Sequence, residues 1–267
     1  MNQITIHSVS EYVALVCQYN AELKQKDASG MLLFRGQPDL QNELLPSLGR
    51  KRAGGRALIG DEQSMVKLAK YKLPTVFRRD LEPIELLALL QHHGIPTRLL
   101  DVSENALVGL YFACHGEECY EKEDGEVIVF RSEDVDVSTY PLINQICDTY
   151  HNQNKMTKEE LAKLYDFCQK PIFVYAPSYS LRQNIQSGRY ILFANKIEKD
   201  KDGYRMTNEM EPISKDNGAV ACRIIIPSGE KENIRRDLRL LGVSKELLFL
   251  DNADMVCGEI KDRFLER

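Results

Sequence analysis

The chain contains no tryptophan, and its seven cysteines (17, 114, 119, 147, 168, 222 and 257) are scattered, odd in number and without a CxxC pair. In 267 residues that pattern argues against a disulfide framework and predicts reduced thiols in a cytoplasmic protein. No apolar run reaches the length of a membrane span, and Met1 to Ser10 does not read as a signal peptide. Two common catalytic signatures are missing as well. No GxSxG motif supports a serine hydrolase, and Arg52-Ala-Gly-Gly-Arg56 follows no predicted strand and matches no phosphate-binding loop. No repeat, low-complexity segment or linker interrupts the chain. A single α+β domain spanning 1–267 is expected, with a helical extension over 1–30 and a core from about residue 31 built on a small central sheet.

What is present is unevenly charged. The formal net charge is −5, yet Arg50 to Arg79 holds nine Lys or Arg against Asp61 and Glu62 alone. Glu117 to Asp136 reverses this, with nine acids against Lys122 and Arg131. Such runs are ordinarily solvated faces; the sharper alternative is that the basic run attracts a phosphate-bearing ligand, a nucleotide or a nucleic acid.

Local signals place the elements. Ser8 to Glu11 reads as a capping box opening a helix with Tyr12, Leu15, Val16, Tyr19 and Leu23 on one face. Met31 to Phe34 reads as a short buried strand ended by a turn at Arg35-Gly36-Gln37-Pro38. Leu44 to Arg50 reads as a loop, and Asp61 as the cap of the helix that follows. Glu82-Pro83 starts a core helix that ends at His92-His93-Gly94. Thr97 to Asp101 is extended, and Ser103 is expected to cap a helix over Asn105 to Cys114. Strands follow at Gly125–Arg131, Ile172–Tyr175, Arg189–Phe193 and Ala219–Ile226, with a capping box at Thr157 to Glu160. Lys196 to Asn217 reads as an exposed irregular excursion. Ser228 and Ser244 cap the late helices, and Asp251 to Phe264 completes the chain.

Gln91 to Ala113 concentrates the chemically able side chains: two histidines, an Arg-Leu-Leu-Asp run and Ser103, all against apolar surface. Adjacent His92 and His93 point about 100° apart on a helix, and Cys114, His115 and Cys119 lack zinc spacing, so a metal site is not expected. Arg35, at the end of a buried strand, needs a partner: a structural ion pair with Asp101, or an anion held as a ligand, with Arg98 a second cation.

Phe34-Arg35-Gly36-Gln37, Leu45-Pro-Ser-Leu48 with Arg50, and Gln91-His-His-Gly-Ile-Pro-Thr-Arg-Leu-Leu-Asp101 with Tyr111-Phe-Ala113 together resemble the FRG domain family, named for its Phe-Arg-Gly signature. The resemblance continues through Asn184 to Gly188 and Leu241 to Phe249. It departs at Val102-Ser103, where the family often has Trp-Thr. More loosely, the order of motifs is similar to that of mono-ADP-ribosyltransferases, which implies an ADP-ribosyltransferase-like core and NAD as substrate. On that likeness Arg35 holds the NAD pyrophosphate or ribose, and Thr97 with Ser103 supports the nicotinamide side; Gly36, Gln37, His92, His93 and Arg98 are the further candidates for the pocket. Gln186 falls near the catalytic position. A neutral Gln can orient a ribose hydroxyl but cannot offset the positive charge of an oxocarbenium-like state, so either turnover is weak or another acid, with Asp101 the candidate, contributes. The likeness implies a bacterial toxin or defence effector with a protein or nucleic-acid acceptor. Two other readings stay open: a non-catalytic nucleotide or nucleic-acid binding module using Arg35, Arg98 and the 50–79 run, and a metal-dependent nuclease using His92, His93 and Asp101.

Overall fold

The computed structural model describes residues 3–249 except 28, 52–54, 117, 133–139, 149–155, 177–180 and 202. The closing stretch at 251–264 and Cys257 therefore lie outside the described residues. In chain order the strands are β1 (Gln3–Thr5), β2 (Met31–Gln37), β3 (Leu99–Ser103), β4 (Gly125–Ser132), β5 (Ile172–Val174), β6 (Gly188–Leu192), β7 (Ile197–Asp200), β8 (Gly203–Met206) and β9 (Val220–Ile226). The helices are α1 (Val9–Lys26), α2 (Glu62–Lys72), α3 (Pro83–His92), α4 (Ala106–Cys114), α5 (Tyr140–Cys147), α6 (Lys158–Phe167), α7 (Leu181–Ile185), α8 (Lys231–Leu240) and α9 (Lys245–Leu248).

Seven strands form one mixed sheet in the order β1-β9-β4-β2-β3-β6-β5, larger than the small sheet expected, while β7 and β8 make a separate hairpin. All neighbours pair antiparallel except β1 and β9. The weak joint is in the middle. β2 pairs with β4 over seven residues and β3 with β6 over five, but β2 and β3 share the single pair Phe34↔Ser103. Paired residues face the same side of a sheet and alternate along each strand. Phe34, Ser103, Asp101 and Leu99 therefore share a face. Phe34 belongs to a core cluster under α1, α4 and α8, whereas Leu99 belongs to a second cluster under α2, α3, α5 and α6. The two clusters lie side by side on one face, and the sheet opens between them.

Local chemistry explains most element boundaries. The Ser8 hydroxyl accepts from Glu11 N at 3.3 Å, and the Thr157/Glu160 capping box closes reciprocally at 3.2 and 2.7 Å. α3 begins with Pro83 at its first turn inside a Glu82/Glu85 capping box, and Gly94 takes the left-handed conformation (φ +78°) that ends it.

Four expectations need correction. β2 does not turn at Arg35: it continues to Gln37 because β4 supplies a partner for every residue, down to Gln37↔Glu126. Ser103 is a strand residue, and Asn105 caps α4 by accepting from Leu107 N at 3.0 Å. Asp61 occupies the N-cap position of α2 without a capping bond and instead meets Arg56 at 2.7 Å. The 196–217 stretch contains the β7–β8 hairpin, buries Met210 and forms a bridge from Ile213 to Leu44. Leu44, Leu45 and Leu48, in the loop it meets, are themselves buried and pack with Leu33, Ile128 and Phe130 on the opposite face of the sheet.

α4 lies directly on the strands, with almost no side chain between. A Cβ on Gly36 would fall 1.9 Å from the carbonyl oxygen of Gly109, and one on Gly125 would fall 2.2 Å from that of Ala113. Gly109 in turn has the Phe34 Cβ 2.8 Å from where its own would sit. The backbone of a buried helix cannot yield to such contacts as a flexible side chain can. Beyond β2 the chain is pinned by the buried Lys231, whose Nζ donates to Pro38 O at 2.7 Å and Tyr120 O at 3.0 Å.

Gly36→Ala is expected to destabilise the fold by about 2 kcal/mol or more through this overpacking, measured by urea unfolding. An unchanged midpoint would mean that α4 lifts off β2 freely. His115, at the C-terminal end of α4, stacks on Tyr111 with ring centroids 3.8 Å apart, and burial lowers its pKa from 6.5 to about 4. The unfolded chain then binds more protons between those values, so stability is lost as pH falls from 6.5 towards 4. His115→Phe is expected to flatten that part of the stability–pH curve, read by thermal melts across the range.

Candidate functional site

The opening between β2 and β3 is a cleft of about 300 Å³, walled by Phe34, Arg35 and Gly36 of β2, Asp101 to Ser103 of β3, and Val108, Gly109 and Phe112 of α4. Gln91 and His92 at the end of α3 close one side. Arg182, Gln183 and Gln186, with Gly188 and Tyr190 of β6, close the other.

Arg35 starts on the face of β2 opposite Phe34, and its guanidinium reaches across the gap. Nη1 donates to the main-chain oxygen of Asp101 at 2.6 Å. A side chain thus replaces the ladder bonds that the parting strands do not make. Its Nε is buried with no hydrogen-bond partner among the described residues. Burial lowers the Arg35 pKa to about 10, so the group stays cationic at neutral pH. A buried cationic donor left without an acceptor is costly, and a ligand anion would satisfy it.

The Asp101 side chain is exposed into the cleft and held from behind. Gln91 Nε2 donates to Asp101 Oδ1 at 2.8 Å, the Thr97 hydroxyl donates to Gln91 Oε1, and Leu99 N donates to the Thr97 hydroxyl at 3.2 Å. Each donor in this relay has a defined acceptor, which fixes the carboxylate's orientation. Asp101 is the only carboxylate lining the cleft among the described residues. Facing it across the β3–β6 register is Tyr190, whose phenol is pushed above its ordinary range by burial and then by Asp101. It is a neutral donor at physiological pH.

Of the residues singled out from sequence, Arg35, Gly36, His92, Asp101, Ser103 and Gln186 line the cleft, and four do not. Arg98 is 1% exposed and pairs through Nε and Nη2 with both Glu62 carboxylate oxygens at 2.9 and 2.5 Å, with further donations to Phe193 O and Asn195 Oδ1. It joins α2 to the sheet and offers nothing to a ligand. Thr97 is buried behind Gln91 in the relay, and Gln37 is buried with its amide donating to Glu43 O at 3.2 Å. His93 caps α3 and meets the Phe77 ring edge-on at 5.7 Å. The anticipated Arg35–Asp101 ion pair is in fact a bond to the Asp101 main chain.

Gln186 is in the wall and anchored there. Its main-chain carbonyl accepts from the Ser103 hydroxyl at 2.6 Å, and its side-chain Nε2 donates to Leu248 O at 3.0 Å. The next residue, Ser187, holds a left-handed conformation (φ +45°), an uncommon state for a residue with a side chain. Sequence reasoning missed Gln91 as the group that orients Asp101, although Gln91 opens the central motif. Tyr190 and Arg182 carried no signal, since only strand register and the α7 turn bring them here.

Among the described residues no three His, Cys, Asp or Glu side chains converge as a metal site, and no helix is long and apolar enough to cross a membrane.

The fold and cleft define a mixed α+β protein with a ligand-sized opening at a strand split. Residues 30–122 match the family model of the FRG domain, so the chain carries an FRG domain over the stretch from β2 past α4. Arg35, Gly36, Gln91 and Asp101 lie within the match, whereas Arg182, Gln186 and Tyr190 lie beyond it. No curated protein and no solved structure matches the chain.

Arg98→Met, which strands Glu62 without its partner, is expected to cost about 3–5 kcal/mol in urea unfolding, and Arg98→Met with Glu62→Leu appreciably less. Equal losses would mean that the pair itself, and not an uncompensated charge, sets the cost.

Proposed function

We propose that the cleft binds the nicotinamide riboside end of NAD and that the protein is an NAD-using, ADP-ribosyltransferase-like enzyme. The observation that carries this reading is the buried, partnerless Nε of Arg35 beside an oriented carboxylate, Asp101, in a cleft of about 300 Å³. That volume is at the small end of ligand sites and suits a nucleoside-sized group, leaving the rest of a dinucleotide outside.

In this mechanism Arg35 holds a phosphate or ribose oxygen and Phe112 and Tyr190 flank the ring. The C1′–N bond of NAD breaks with its electron pair leaving on nicotinamide, which neutralises the pyridinium. Positive charge develops on C1′ and the ribose oxygen, and the Asp101 carboxylate offsets it. Water or a hydroxyl of a macromolecular acceptor then forms the new bond to C1′ and passes its proton to Asp101 or solvent. Gln186, the residue aligned with the catalytic position by resemblance, spends its side-chain Nε2 on Leu248 O and its main-chain carbonyl on the Ser103 hydroxyl, so it acts here by shaping the wall. Serving as a bacterial toxin or defence effector, such an enzyme would deplete NAD or modify an essential acceptor.

Incubation with nicotinamide-labelled NAD is expected to release the label. Asp101→Asn should lower the rate about 100-fold or more, and Arg35→Lys should weaken NAD binding about tenfold. Gln186→Ala should keep the rate within about tenfold. NAD binding without release would identify a non-catalytic nucleotide module; absence of both would sink the proposal, and chelator-sensitive cleavage of nucleic acid would replace it with a nuclease.

A further inference from the structure

The basic run noted in the sequence takes a definite form in α2 and the turn after it. α2 buries Glu62, Val66 and Ala69 against the core. Successive residues on a helix turn by about 100°, which puts Lys67, Leu68, Tyr71 and Lys72 on the opposite side. Tyr71 is 79% exposed and Leu68 56% exposed, so an apolar strip runs down the outer face with a lysine on each flank. Leu73, 50% exposed, ends the helix, and Arg78 and Arg79 follow on the exposed turn. From Gln63 to Arg79 there are five cations and no acid, in a chain whose net charge is −5. Among the described residues Arg78 meets Asp80 at 3.3 Å, while Lys67, Lys72 and Arg79 have no ion pair.

We propose that this face binds single-stranded nucleic acid, with Lys67, Lys72 and Arg79 against the phosphates and Tyr71 stacked on an unpaired base. Charge selects a polyanion, and an exposed aromatic between cations selects one that offers free π faces. A membrane-surface helix would present a wider apolar face than Leu68 and Tyr71 provide. Packed rings also join the turn after α2 to the cleft wall. Phe77, in the turn after α2, contacts His93, whose ring meets that of His92 at 5.0 Å, and His92 lines the cleft wall. That a bound strand serves as acceptor rests on the NAD reading; the binding itself does not.

The test is fluorescence anisotropy of the full chain with a fluorescein-labelled single strand of mixed sequence, about 15 nucleotides long, as DNA and as RNA, between about 50 and 200 mM salt. Binding is expected with a log K against log salt slope of about −2 to −3. The triple variant Lys67→Gln, Lys72→Gln, Arg79→Gln should bind at least about tenfold more weakly, with a slope flatter by about 2. Tyr71→Ala should lose about fivefold to 100-fold with the slope unchanged. All four side chains are exposed, so melting temperatures should hold. No binding by the unmodified protein, equal binding by the triple variant, or preference for phosphatidylserine vesicles over the strand would overturn the proposal. Asp101→Asn should lower NAD cleavage about 100-fold or more and leave strand binding intact, so either reading can fail alone.

Discussion

The direct contact of α4 with β2 and β4 is the constraint on which the site depends. Gly36, Gly109 and Gly125 allow it by removing the Cβ atoms that would otherwise stand between backbones. With α4 this close, Val108, Gly109 and Phe112 become one wall of the cleft, and β2 is held flat against β4 through Gln37. β3 belongs to the other half of the sheet, where five pairs tie it to β6. The two halves share the single strand pair Phe34↔Ser103, and the room beyond that pair, which the Arg35 side chain spans, is the cleft. In the Phe-Arg-Gly triplet, Phe34 thus packs under α4, Arg35 spans the gap and Gly36 admits the helix.

Polar groups sort into two kinds around this opening. Some are fully satisfied and bury their charge in the frame: Arg98 with Glu62, Glu126 with Arg223 and Lys215, and Lys231 with two carbonyl groups. Such groups are spent on the frame and cannot serve a ligand without leaving a buried charge uncompensated. Arg35 is different, since one donor is spent on the Asp101 main chain and another is buried without an acceptor. Asp101 complements it, exposed yet oriented by Gln91 and Thr97. Unsatisfied but preorganised groups of opposite charge in one cleft are what a polar ligand can exploit.

Arg35 and Arg98 illustrate how far the site was legible. Both sit beside short apolar strands, and the local pattern gives them equal standing. Arg98 finds Glu62, 36 residues away on α2, and disappears into the core; Arg35 finds no carboxylate and reaches a carbonyl group instead. Likewise Ser103 looks like a helix cap in sequence, because a hydroxyl precedes an apolar helical run. In the fold, pairing with Phe34 and Gly188 keeps it in β3, and Asn105 takes the cap.

The sequence by itself determined features whose causes lie within a few residues. These are the Ser8 N-cap and the Thr157 capping box, the proline start and glycine stop of α3, the strands at 125–132 and 220–226, and the absence of long apolar spans. It also marked Arg35, Asp101 and the 91–113 stretch as the place for chemistry. Only the tertiary structure decided how far β2 runs, which arginine faces the opening and that Tyr190 stands across from Asp101. It also committed Gln186 to Ser103 and Leu248. These outcomes depend on strand register and on partners tens of residues away, and local periodicity cannot encode either. The cleft exists because two halves of a sheet, each well paired, meet through one residue pair.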